Sequence, residues 1–111
     1  MVKSYTLKIK GALEIAHRLP DYEGACSHLH GHCMHYILNF KGKLQDNGMV
    51  EDFKFLKEVI EKVMKFYDHT YLNDFIETPT LENFATIILD DVNKYYAYCR
   101  GFGQAGKFIS I

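Results

Sequence analysis

The sequence predicts an α+β fold. Two segments near the N-terminus alternate apolar and polar residues at period two, as half-buried strands do, and two later segments carry apolar stripes at helical spacing. A short apolar segment at the C-terminus completes the order β, β, α, α, β. That order predicts an antiparallel sheet with both helices packed on one face.

The first strand is expected over residues 3–17. Tyr5, Leu7, Ile9, Leu13 and Ile15 fall on one face, Ser4, Thr6, Lys8, Lys10 and Glu14 on the other, and His17 continues the apolar face. Arg18 to Leu29 holds Pro20, Asp21, Gly24 and Ser27 and reads as a loop. The second strand is expected over 30–41, with His30, His32, Met34, Tyr36, Leu38 and Phe40 on one face. His35 and Cys33 alternate away from it, and Cys33 is expected in the core. Asn47-Gly48 marks a turn. Phe53, Leu56, Ile60, Val63 and Tyr67 then form a helical stripe with Asp52 placed to cap it. Asp68 to Asp74 is a break or short strand. Thr78-Pro79 suits a second helix entry, with proline at the first helical position. Leu81, Phe84, Ala85, Ile88, Val92 and Tyr95 make the second stripe, and Gly101, Gly103 and Gly106 end it. Lys107 to Ile111 is the expected last strand.

A chain of 111 residues fits a single domain, 1–111, with a modest core, which oligomerisation would help to bury. Apolar residues at 48% and charged residues at 24% place it among soluble globular proteins. A net charge of −1 without a basic stripe argues against a nucleic-acid partner. No apolar run approaches the ~20 residues of a membrane helix, and residues 1–10 lack the apolar centre of a signal peptide. Three cysteines without a secretion signal argue against a disulfide framework and for a reduced cytoplasm.

The histidines carry the chemistry. His30 and His32, two apart on a strand, point the same way, as two ligands of one metal require. Antiparallel pairing across the 18–29 loop brings His17 beside them. Three histidines leave a fourth position open, the pattern of a catalytic rather than a structural zinc site. The competing reading is three ordinary polar residues near a loop. Cys26 on local grounds is a small loop residue, a fourth metal ligand or a nucleophile, and Asp68-His69 reads as a solvated pair at a helix end.

Five blocks nevertheless resemble a known family: Ile-Ala-His-Arg-Leu-Pro around His17, Cys26-Ser27-His28-Leu29-His30-Gly31-His32, Asn47-Gly48-Met49-Val50-Glu51-Asp52-Phe53, Tyr67-Asp68-His69-Thr70-Tyr71-Leu72-Asn73-Asp74, and Pro79-Thr80-Leu81-Glu82-Asn83. In this order and spacing they look like the 6-pyruvoyl-tetrahydropterin synthase superfamily. The Cys-x-x-x-His-Gly-His spacing is most similar to its bacterial and archaeal branch, the 6-carboxy-tetrahydropterin synthases of queuosine biosynthesis. The resemblance covers residues 5–95.

The resemblance implies a T-fold whose subunits join into barrels, a trimer or hexamer, with active sites between subunits. It implies Zn2+ on His17, His30 and His32, Cys26 as a proton-abstracting base, and Asp68 with His69 as a proton relay. Thr80 and Glu82 match positions that contact the pterin, and His28 stands where the branch commonly has Arg or another polar residue, a candidate to touch phosphate or nothing. The implied reaction is the conversion of 7,8-dihydroneopterin triphosphate to 6-carboxy-tetrahydropterin, acetaldehyde and triphosphate. The alternatives are pyruvoyl-type synthesis, another pterin side-chain lyase, or a zinc-binding T-fold protein without catalysis. The family usually carries a glutamate in its last strand that grips the pterin ring. Lys107 to Ile111 corresponds to the start of that strand and no glutamate follows, so the chain is expected to be short here or to hold the ring differently.

Overall fold

The computed structural model describes residues 3–111; Met1 and Val2, the first two residues of the expected 1–111 domain, lie outside them. Two strands of 14 residues dominate, β1 (Ser4–His17) and β2 (His30–Lys43). Helix α1 (Phe53–Tyr67), the two-residue strand β3 (Thr70–Tyr71), helix α2 (Leu81–Arg100) and strand β4 (Gly106–Ser110) follow. The sheet order is β3-β1-β2-β4. The architecture is α+β, as the alternation and the stripes predict.

The sheet is mostly, not wholly, antiparallel. β1 pairs antiparallel with β2 along its whole length and β2 pairs antiparallel with β4, but β3 runs parallel to β1. A helix intervenes between β2 and β3, so no hairpin imposes the antiparallel direction there.

Both helices lie over one face of the sheet. Ile9, Leu13, Ile15, Leu38, Phe40 and Phe108 from the strands meet Leu56, Val59, Ile60, Met64, Phe84, Ile88, Val92 and Tyr96 from the helices in one buried cluster. Phe40 packs edge-on against both Tyr96 and Phe108, at centroid distances of 5.1 and 5.2 Å. The stripes are shifted from the sequence reading. Phe53 and Leu81, in the first turns of their helices, stay exposed, and Tyr96 rather than Tyr95 enters the core. Tyr5, expected on the apolar face, is exposed as well.

Helix entries follow side-chain chemistry. The Asp52 carboxylate accepts from the Lys54 amide at the start of α1. At α2 the cap is Thr80, whose Oγ1 accepts from the Asn83 amide. Pro79 therefore stands before the cap and not at the first helical position as expected; it is buried, and its ring ends the extended approach to the helix. Cys33 is corrected too. It lies on the face of the sheet away from the helices and is exposed, because among the described residues no second layer covers that face.

Candidate metal centre and active site

The antiparallel register places His17 directly opposite His30, with Ile15 opposite His32. The three imidazoles share the helix-side face, at the mouth of the loop between the strands. Their ring centroids are 4.5 Å apart for His17 and His30, 5.0 Å for His17 and His32, and 4.6 Å for His30 and His32. One ring nitrogen from each lies within 4.8 Å of the others.

The outer nitrogens are held by backbone. His17 Nδ1 donates to the Pro79 carbonyl and His30 Nδ1 to the His28 carbonyl, each at 2.7 Å. A carbonyl only accepts, so both Nδ1 atoms carry a proton, and the neutral ring then has its lone pair on the inward Nε2. His17 Nε2 and His32 Nε2 stand 3.1 Å apart, and His30 Nε2 is buried with no hydrogen-bond partner among the described residues. Inward nitrogens with carbonyl-fixed outer nitrogens could hold a divalent cation, with the carbonyls as its outer shell. Desolvation in the cluster, reinforced by the neighbouring His30 and His17 rings, pushes His32 below the ordinary imidazole range and so favours the neutral, ligating form.

Among the described residues this set contains only the three histidines. Cys26 is not part of it, so the reading of Cys26 as a fourth ligand has no geometric support. Cys26 is half-buried in a single helical turn, Ala25–Ser27, with its carbonyl accepting from the Leu19 amide at 2.8 Å. His28 is exposed, and its carbonyl is the group that orients His30.

Asp68 and His69 sit where α1 ends, at the outer edge of β1. Asp68 Oδ1 accepts from the Glu14 amide at 2.7 Å, the His69 amide donates to the Glu14 carbonyl at 2.6 Å, and Asp68 Oδ2 lies 3.0 Å from His69 Nδ1. The Glu14 amide first, and His69 next, outweigh desolvation and hold the Asp68 carboxyl below its usual value. His69 takes φ 60°, the left-handed region, as the only non-glycine residue to do so among the described residues. Asp68 and His69 are outside the histidine cluster of the same chain.

Thr80 caps α2, and Glu82 is exposed in its first turn. Between them Leu81 borders an apolar cavity of about 360 Å³, lined also by Leu13, Met34, Phe84, Ile88 and Ile111. Leu13 and Met34 pair two residues along the same face from Ile15 and His32, so the cavity adjoins the cluster. The sequence reading missed the Pro79 carbonyl. The signal was present, since Pro79 opens one of the five blocks, but a backbone acceptor has no residue-type signature.

Comparison with known proteins identifies the family. The family model described as 6-pyruvoyl tetrahydropterin synthase matches residues 6–102. The chain belongs to that family. Within it the chain stands near the 6-carboxy-tetrahydropterin synthase branch. It is 40% identical over 85 residues to the 6-carboxy-5,6,7,8-tetrahydropterin synthase of Synechocystis, covering 69% of this chain and 66% of that protein. It is 35% identical over 92 residues to an Archaeoglobus fulgidus protein provisionally given the same name, covering 83% of this chain and 79% of that protein. The fold matches the 6-pyruvoyl tetrahydropterin synthase of Caenorhabditis elegans with a TM-score of 0.76 at 23% identity, covering 84% of this chain and 79% of that one. The sheet with its two helices is thus the T-fold.

Proposed function

We propose that this chain is a zinc-dependent lyase that converts 7,8-dihydroneopterin triphosphate to 6-carboxy-5,6,7,8-tetrahydropterin, acetaldehyde and triphosphate, a cytoplasmic step toward queuosine. The observation that carries the reading is the buried, partnerless Nε2 of His30 facing the inward nitrogens of His17 and His32. Kinship with relatives that bear the synthase name supports the reaction class.

His17, His30 and His32 hold the metal. Bound there, zinc supplies Lewis acidity that lowers the pKa of substrate hydroxyls, as it lowers that of water to about 7 elsewhere. Cys26, on the loop that closes beside the cluster, acts as the base that takes a proton from substrate carbon. Asp68 holds His69 through Nδ1 and leaves Nε2 to move a proton at the substrate oxygen. Thr80 and Glu82 receive the pterin beside the apolar cavity, and His28 meets the phosphates. The family resemblance supports a site completed between copies, in a trimer or hexamer of this single domain, with Asp68 and His69 contributed across the interface.

The test is turnover of dihydroneopterin triphosphate by zinc-loaded protein, with acetaldehyde quantified and the pterin product identified by mass. A Cys26→Ala variant is expected to lose at least ~10²-fold in kcat with metal retained. A His30→Ala variant is expected to lose the metal. A metal-free protein after purification with zinc present, or no product from the zinc-loaded oligomer, rejects the reading. A pyruvoyl product would move the chain to the other branch.

A further inference from the structure

Asn73 belongs to one of the five sequence blocks. It lies in the single helical turn Leu72–Asp74 that follows β3. β3 pairs with β1 at only two positions, Ile15 with Thr70 and Ala16 with Tyr71, before its backbone turns away. The Asn73 side chain supplies the next rung. The Arg18 amide donates to Asn73 Oδ1 at 2.9 Å, and Asn73 Nδ2 donates to the Arg18 carbonyl at 2.9 Å. A carboxamide presents one acceptor and one donor, as a strand residue's backbone does.

Arg18 is the residue on which the site turns. It directly follows the ligand His17. It also starts the loop that carries Cys26. Arg18 Nε donates to the Ser27 carbonyl at 3.2 Å, and the next residue, Leu19, donates its amide to the Cys26 carbonyl at 2.8 Å. Fixing the Arg18 peptide therefore fixes both the direction of His17 and the base of the Cys26 turn.

We propose that Asn73 is a positioning residue: its side-chain amide clamps Arg18 so that His17 and Cys26 keep one relative placement. The proposal rests on the reading of His17 as a metal ligand and of Cys26 as the base. Outer groups that hold a ligand in place are worth about 10–100-fold in metal affinity when removed. Asparagine is the residue this needs. Aspartate sets a carboxylate oxygen against the Arg18 carbonyl, and alanine provides neither group.

The fold contains its own control. Asn93 makes the same two-point clamp on β4, with Nδ2 donating to the Phe108 carbonyl at 2.9 Å and Oδ1 accepting from the Phe108 amide at 2.8 Å. If Asn73 only stabilised the fold, the two clamps would behave alike. The experiment compares wild type, Asn73→Ala, Asn73→Asp and Asn93→Ala, each checked for folding by circular dichroism. Cobalt(II) affinity and visible absorption report the metal site. The alkylation rate of Cys26 against pH, resolved from Cys33 and Cys99 by peptide mass, reports the thiol. Both Asn73 variants are expected to bind cobalt about tenfold or more weakly, with altered absorption, and to shift the Cys26 rate profile. Asn93→Ala is expected to lower the melting temperature and leave both readouts in place. Cobalt affinity and alkylation within twofold of wild type in a folded Asn73 variant, or equal changes in Asn93→Ala, overturn the proposal. A wild type that binds no cobalt or zinc defeats the metal reading instead, and the alkylation profile then decides Asn73 alone.

Discussion

His69 combines a side chain proposed for proton transfer with a backbone that resists its own conformation. Its φ of 60° costs any residue with a Cβ, and the bond from its amide to the Glu14 carbonyl is what holds it there. The two contributions separate by mutation. His69→Gly and His69→Ala both remove the imidazole and are expected to abolish the relay equally. His69→Gly is expected to exceed His69→Ala in stability by about 1 kcal/mol, because glycine enters the left-handed region freely. Urea denaturation measures the difference, and equal midpoints would show the strain to be absent. At this scale the sequence was legible where chemistry resides in residue type. Alternation alone put His30 and His32 on one face. It could not find the Pro79 and His28 carbonyls that orient the rings, since any residue carries that acceptor. Nor could it see that Cys33 is exposed, because which face the helices cover is a tertiary fact.

The elements are joined by one buried ionic network. Glu51, between β2 and α1, is 6% exposed. It accepts from Arg100 Nη2 at 2.6 Å and Nε at 3.1 Å, from the Tyr96 hydroxyl at 2.7 Å and from the Asp52 amide at 2.8 Å. Arg100 also stacks 3.7 Å above the Phe55 ring. Burial alone would raise the Glu51 carboxyl, but the bonds from Arg100, Tyr96 and Asp52 outweigh it and hold it below its ordinary value of 4.5. A carboxyl depressed in the folded state contributes stability that is fully present above pH 4.5. That contribution is lost as pH falls through the folded value. The stability gap between wild type and Glu51→Gln is therefore expected to be widest at neutral pH and to shrink by pH 3. Arg100→Ala, which strands the carboxylate, is expected to cost roughly 3 kcal/mol at pH 7, and Arg100→Lys to recover only part of it. A gap that does not change with pH would remove Glu51 from the account. Helices and long strands were legible because their periods are long. The network was not, since Glu51 and Arg100 are 49 residues apart and look like ordinary surface charges. The two-residue β3 was too short to carry a period: the sequence located a break or short strand at 68–74 but not the parallel direction of the pairing.

The whole chain is not compact. Its radius of gyration is 16.1 Å, with extents of 53 × 24 × 20 Å, against about 13 Å expected for a globular domain of this length. The excess comes from β1 and β2, which outrun the helices and leave one face of the sheet without a layer. β1 also has an open edge. Glu14 and Arg18 turn their backbone groups outward, to Asp68, His69 and Asn73. By strand alternation Thr6, Lys8, Lys10 and Ala12 turn theirs the same way, and among the described residues no strand pairs with that edge ahead of Ile15. A long unpaired edge invites another strand, and barrel closure between copies is the arrangement that removes it. The expected mass in solution is therefore a multiple of 12.9 kDa by light scattering. Lys8→Pro deletes one outward donor while sparing the bonds to β2, which the odd-numbered residues make. It is expected to shift the protein toward monomer with helix content retained, and Lys8→Ala to leave the assembly intact. The proposed active site needs Asp68 and His69 from a neighbouring copy, so the Lys8→Pro monomer should keep its metal and lose turnover. A wild type that stays at 12.9 kDa at every concentration, or a monomeric variant with full activity, would place the complete site within one chain.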